Sequence, residues 1–179
     1  MEPREYATLI SPRVVALITT MDNLGKANAA PFSFVGPLSF DPPLVYFAIG
    51  PGKRTLKNVL ETKEFVMNIV SESFGQKAVN CALRADEYVD KMKKSGLETK
   101  RSKHVKPPSI KGSPVILECQ VTEFIEPKES DHVVVVGKVV HAECAKTKDG
   151  HPDIKDILMH IGKDSYTVAG KEITLKRPG

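Results

Sequence analysis

Val14-Val15-Ala16-Leu17-Ile18-Thr19-Thr20, then Asp22-Asn23-Leu24-Gly25, then Asn28-Ala29-Ala30-Pro31-Phe32-Ser33-Phe34: this stretch decides the fold of the 179-residue chain. The first run is apolar and β-branched and reads as a buried strand. Asp22 to Gly25 carry turn chemistry, and 27–35 reads as a returning, partly irregular strand. Pro31 has no N–H to give to a ladder, so the backbone there belongs at a sheet edge, at a bulge or against a ligand.

Outward from that hairpin, Asp41-Pro42-Pro43 stiffens a connection and Leu44 to Ile49 supplies the next strand. Gly50-Pro51-Gly52 breaks it. Leu56, Val59 and Leu60 then have the spacing of one face of a short helix over 55–61. Phe65 to Val70 returns to strand. From Ser73 to Ser95 the pattern is helical, with Ala78, Cys81 and Ala82 on one side, followed by Tyr88, Val89 and Met92. The stretch 91–106 is charged, ends at Pro107-Pro108 and reads as a surface excursion. Strands resume at 115–125 and 132–143, with Gly137 placed for a bend at a barrel corner. A last short segment, 167–175, carries Gly170 in a turn. No repeat or low-complexity tract is present. Strands gather at both ends without βαβ alternation, which disfavours a doubly wound parallel sheet and favours a closed or partly open antiparallel barrel with inserted helices.

Composition narrows the function classes. Hydrophobic residues make up 41% and charged residues 27%, ordinary for a globular chain whose length suits one domain. Lys and Arg total 26 against 22 Asp and Glu. That excess suits an anionic ligand or an acidic partner and falls short of a nucleic-acid footprint. The three cysteines are widely spaced, with no Cys-x-x-Cys pair, so they read as small buried hydrophobes in a reducing compartment. No apolar run is long enough to span a bilayer and no signal peptide is visible, so a cytoplasmic location is expected.

The stretch richest in chemistry is Gly50-Pro51-Gly52-Lys53-Arg54-Thr55, at a strand end and a helix start. Glycines admit a ligand close to the backbone, and the free N–H groups of a helix start favour an anion. Two cations and a hydroxyl complete a phosphate cradle. A Walker A loop requires Gly where Phe47 stands and Ser or Thr where Arg54 stands. A dinucleotide fingerprint requires Gly at Thr55. Neither fits. The alternative is a surface turn with two solvated cations. The segment 28–43, with small residues, aromatics and a mid-strand proline, suggests backbone serving a flat ligand. Its alternative is a packed strand and a Pro-rich loop.

Asn-Ala-Ala-Pro-Phe-Ser-Phe, then Ser-Phe-Asp-Pro-Pro-Leu-Val, then Lys-Arg-Thr-Leu-Lys-Asn, with Phe65-Val66-Met67-Asn68 following, resembles the flavin-reductase-like FMN-binding split-barrel family. Within it, the chain is most similar to the flavoredoxins and the archaeal FMN-binding proteins. The resemblance implies one FMN-binding domain over 1–179, mainly β, a six-stranded antiparallel Greek-key split barrel with inserted short helices. It also implies a homodimer with FMN near the subunit interface. By position, Ala30, Pro31, Ser33 and Phe34 lie along the isoalloxazine, largely through backbone. Ala48 and Ile49 line its bed. Lys53, Arg54 and Thr55 hold the phosphate, and Asn58 supports that turn. His160 and Tyr166 lie near the cofactor.

Flavin chemistry asks little of side chains, so the absence of a catalytic triad excludes no enzyme and no catalytic residue is assigned. His132 and His141 fall on a strand, while His104, His151 and His160 are scattered without metal-ligand spacing, so no metal site is expected. A thiol–flavin relay through Cys81 has no positional support. The basic run from Lys100 to Lys106 reads as a solvated loop, as a receiver of nicotinamide-nucleotide phosphates, or as a dock for an acidic electron-transfer protein. Without aromatic interleaving it does not suggest nucleic acid. Three functions follow as expectations. The first is an oxidoreductase taking hydride from NAD(P)H through FMN and passing electrons to a flavin, metal or protein acceptor. The second is a flavoredoxin-like carrier exchanging electrons with a protein. The third is a barrel binding another phosphorylated ligand without redox chemistry.

Overall fold

A computed structural model describes residues 5–83, 90–147, 149–150, 152–171, 173 and 175. In chain order the elements are α1 (Tyr6–Leu9), β1 (Arg13–Val14), β2 (Ala16–Met21), β3 (Ala27–Phe32), β4 (Val35–Ser39), β5 (Leu44–Ile49), α2 (Arg54–Thr62), β6 (Glu64–Ile69), α3 (Glu72–Asn80), α4 (Lys91–Ser95), β7 (Thr99–Lys100), β8 (Ser109–Ile110), β9 (Val115–Ile125), β10 (Val133–Cys144), β11 (Leu158–Gly162) and β12 (Ser165–Val168).

The main sheet has the order β3-β2-β6-β9-β10-β5-β4, with every pairing antiparallel. Its two end strands, β3 and β4, are neighbours in sequence, joined only through Ser33 and Phe34. The sheet therefore curls until its edges approach at that joint, which is the split of the barrel. The architecture is the expected mainly-β split barrel, with seven strands in its sheet where six were expected. The extra strand is β4: 27–35 is not one returning strand, because the chain leaves β3 after Phe32 and starts β4 at Val35. Pro31 and Pro37 both fall on edge strands, where a missing N–H costs no interior ladder bond.

The uninterrupted apolar run at the start has a physical cause. β2 is covered on both faces. Ala16 and Ile18 join Val45, Phe47, Ile49, Leu56, Val59, Phe65 and Val135 inside the barrel. Val15 and Leu17 join Phe74, Ala78, Cys81, Met92, Leu97 and Ile110 beneath α3 and α4. Phe32, Phe47 and Phe65 form a line of rings with centroids 5.2 and 5.1 Å apart. Gly137 marks the register shift expected of a corner, and a Cβ there would meet the Phe65 ring at 2.5 Å.

Several expectations need correction. Leu60 is 48% exposed, and the buried face of α2 is Thr55, Leu56, Asn58 and Val59. The helical stretch 73–95 resolves into α3 and α4, with Tyr88 and Val89 outside the described residues. The excursion 91–106 is not a bare surface loop: Met92, Leu97, Ser102 and Val105 are buried in it. The carboxylate of Glu118, itself buried, accepts the backbone N–H groups of Lys103 (2.8 Å) and His104 (2.6 Å), and Glu64 accepts that of Lys106 (2.9 Å). Glu143 pairs with Lys100 and Lys103, which holds its carboxyl down at about 2. The final segment ends its strand at Val168, and Gly170 lies in no turn. Among the described residues, no helix is long and apolar enough to cross a membrane.

Candidate functional site

β5 ends at Ile49, and Gly52, at φ 72°, turns the chain into α2. Lys53 is the N-cap, extended (φ −87°, ψ 141°) and without a side-chain cap bond. The first-turn N–H groups of α2 therefore have no intrahelical acceptor and project beside two cations. Lys53 is exposed. Arg54 is half-buried and faces Asp22 at 3.8 Å. An open groove of about 540 Å³ runs from this end along the outer face of α2, lined by Gly52, Lys53, Arg54, Leu56, Lys57, Leu60 and Glu61.

Under that turn lies a buried polar knot. Asn28 and Thr20 face each other across the β2–β3 ladder. The Asn28 amide donates to Thr55 Oγ1 at 3.0 Å, and the Asn58 amide donates to Thr20 Oγ1 at 3.0 Å. Asn58 thus supports the turn from below, by tying α2 to β2. Asn28 Oδ1 is buried with no partner among the described residues. Lys91 adds a third cation. Its ammonium donates to the Cys81 carbonyl at 3.4 Å, and its pKa is lowered by burial first, and further by the nearby Arg54 and Lys53.

A second cluster forms around the β3–β4 joint. Phe34 passes its carbonyl to Ala48 N–H at 2.9 Å, so the joint lies against β5. β11 pairs with β1, placing His160 opposite Arg13. Arg13 Nη2 donates to His160 Nδ1 at 3.2 Å, and Ser33 Oγ lies 3.3 Å from the same nitrogen. A guanidinium only donates, so Nδ1 accepts. His160 Nε2 then carries the proton and donates to the Lys163 carbonyl at 3.0 Å. Tyr166 packs its ring 5.1 Å from that of His160, and burial, then Asp164, raises its pKa. The Arg13 guanidinium sits 5.7 Å from the centre of the Phe34 ring, whose other neighbour is His132 at 5.7 Å. Arg13 Nη1 serves the carbonyls of Ala7 and Ile10 and the Ser11 hydroxyl, while Nε is buried and unpartnered among the described residues.

The residues expected from the sequence therefore fall into two groups. Lys53, Arg54, Thr55 and Asn58 make one end. Ser33, Phe34, Ala48, His160 and Tyr166 come together at the other. Ala30 and Pro31 are half-buried on β3, which runs between the knot and the joint, opposite Ile18 and Leu17. Ile49 sends its side chain into the barrel core, so only its backbone faces outward. Arg13, Asn28 and Lys91 were not singled out from the sequence. A lone cation bordering a buried strand was the available signal for Arg13, and a buried-strand Asn for Asn28. Lys91 had none, being one of several lysines in its stretch. His104 stacks on His141 at 5.1 Å, and His151 lies outside the described residues. Among the described residues, no three His, Cys, Asp or Glu side chains gather to hold a metal.

This donor set fits a flavin phosphate. Cations and free N–H groups occupy one end, and an unspent guanidinium N–H and an aromatic wall the other.

Residues 9–169 match the family model of the flavin reductase like domain. An uncharacterized protein of Aquifex aeolicus is 35% identical over 131 residues, 70% of this chain and 66% of that protein. A split-barrel protein of Shewanella frigidimarina shares the fold at a TM-score of 0.89, with 24% identity over 99% of this chain and 94% of that one. Flavoredoxin of Methanosarcina acetivorans superposes at 0.79, with 27% identity over 92% and 88% of the two chains. The chain belongs to the flavin reductase-like family, a family of flavin-binding oxidoreductases.

Proposed function

We propose that this member of the flavin reductase-like family binds FMN along β3 and works as an oxidoreductase, drawing hydride from NADH or NADPH and passing electrons to a flavin, metal or protein acceptor. The observation that carries this reading is the pairing of a cationic helix start with an aromatic, donor-bearing joint at the two ends of one edge strand. Lys53, Arg54 and Thr55 hold the phosphate, with Asn58 beneath them. Ala30, Pro31, Ser33 and Phe34 follow the ring through backbone, Ala48 and the Ile49 backbone form its bed, and His160 and Tyr166 close its far side. A bound flavin supplies two-electron uptake and stepwise release of electrons. The chain's own residues would bind and orient: the Arg13 guanidinium beside the joint would favour negative charge on the ring's polar edge, and His160 holds Arg13 and Ser33 in place.

Exposed Tyr6, Leu9 and Ile10 border Arg13, and a second copy of the chain covering them would close the site as a homodimer. Sedimentation of the flavin-loaded protein as a monomer would remove that part. The likeness to flavoredoxin favours a second reading, a carrier exchanging electrons with a protein. Anaerobic mixing with NADH and with NADPH separates the two. Rapid bleaching establishes the reductase, whereas a flavin reduced only by a protein donor establishes the carrier.

A further inference from the structure

We propose that Asn28 is a positioning residue that makes this site select a phosphorylated flavin over the unphosphorylated one, by fixing the Thr55 hydroxyl as a donor to the phosphate. The inference rests on the FMN reading. Thr55 is the second residue of α2 and is 2% exposed, as is Asn28. A hydroxyl has one proton and two lone pairs, and one lone pair of Thr55 Oγ1 is taken by the Asn28 amide at 3.0 Å. Its proton is therefore directed elsewhere, in the first turn of a helix flanked by Lys53 and Arg54. The opposite amide orientation would place Asn28 Oδ1 on Thr55 and leave the buried NH2 with no partner at all. The amide cannot swing freely, because Thr20 stands opposite it and is itself engaged by Asn58. A phosphate dianion offers only acceptors, so it benefits from a hydroxyl held proton-outward, and riboflavin, having no phosphate, gains nothing from it.

The test compares FMN and riboflavin affinities by flavin-fluorescence titration. Asn28→Asp is nearly isosteric but only accepts, so it draws the Thr55 proton inward. FMN should weaken roughly 10- to 100-fold, the worth of a hydrogen bond to a charged group, while riboflavin stays within about twofold. Thr55→Val should match that loss and Thr55→Ser should spare it. The double variant N28D/T55V should bind FMN no more weakly than T55V by more than about twofold. Should the aspartate disrupt folding, Asn28→Leu carries the same comparison without added charge. Equal losses for both flavins, no loss for FMN, or additive losses in the double variant would each overturn the proposal. A wild-type protein that binds neither flavin would instead overturn the FMN reading beneath it.

Discussion

The two ends of the candidate site are built on opposite plans. At the α2 end, the donors come from Lys53, Arg54 and Thr55, consecutive in sequence and mounted on one helix start, with charge supplied by side chains that reach solvent. At the β3–β4 joint, Arg13, Ser33, Ala48 and His160 come from four remote segments, and each holds the next: Arg13 on His160, His160 on Ser33, Phe34 on Ala48. At the first end the Lys53 and Arg54 charges can change one at a time, while Thr55 is coupled to Asn28. The second changes as a unit, because Arg13 also ties down the carbonyls of Ala7 and Ile10. Charge selection and structural integrity are thus separated along one strand.

The sharpest way to break that contrast is Arg54→Met. Losing a charge-assisted contact should weaken FMN by about 100-fold and leave riboflavin within about twofold. Comparable losses for both flavins would show that the α2 end is no more modular than the joint. Arg13→Met is the converse probe. FMN and riboflavin should weaken together, by about tenfold, and urea unfolding should register about 1–3 kcal/mol of lost stability from carbonyls left unmet. A variant weak for FMN alone would move Arg13 to the phosphate end.

The pH dependence of binding gives a smaller effect. The Lys91 pKa is lowered in the folded protein by burial and by Arg54 and Lys53. The folded state therefore binds fewer protons than the unfolded one between that value and the ordinary lysine range, so stability without ligand rises with pH across this window. An anion beside Lys91 raises its pKa again, so FMN affinity should fall a few-fold, roughly, as pH rises through it, and riboflavin affinity should not. A flat FMN profile that stays flat in Lys91→Met would place Lys91 outside the site.

The smallest effect belongs to Glu143, held at about 2 by Lys100 and Lys103 on the barrel's outer face. Its contribution is complete above the usual carboxylate range and is lost as pH falls through about 2. Glu143→Gln should flatten acid unfolding slightly and leave both flavin affinities within about twofold. Altered FMN affinity would link the basic run to the site.

The same division explains what the sequence disclosed. The candidate cradle at 50–55 could be proposed from the sequence because its chemistry is contiguous, and β2 was legible because burial on both faces writes an unbroken apolar run. β4 was hidden by Gly36 and Pro37, poor strand formers that suit an edge. Gly36 also lets the Tyr46 ring lie where a Cβ would meet it at 3.0 Å. Ser33, Phe34, His160 and Tyr166 were reached by resemblance, not by residue chemistry, since nothing local announces that β1 and β11 pair. Arg13 was missed for that reason. The basic run read as solvated because its anchor, Glu118, lies on β9 and binds backbone rather than charge.

The most direct test of the central claim is the absorbance spectrum of the purified protein together with chromatography of whatever heat denaturation releases. The two-cluster site predicts a yellow protein that yields FMN, about one per chain, and takes it up again when reconstituted. A colourless protein that leaves added FMN unbound would contradict it.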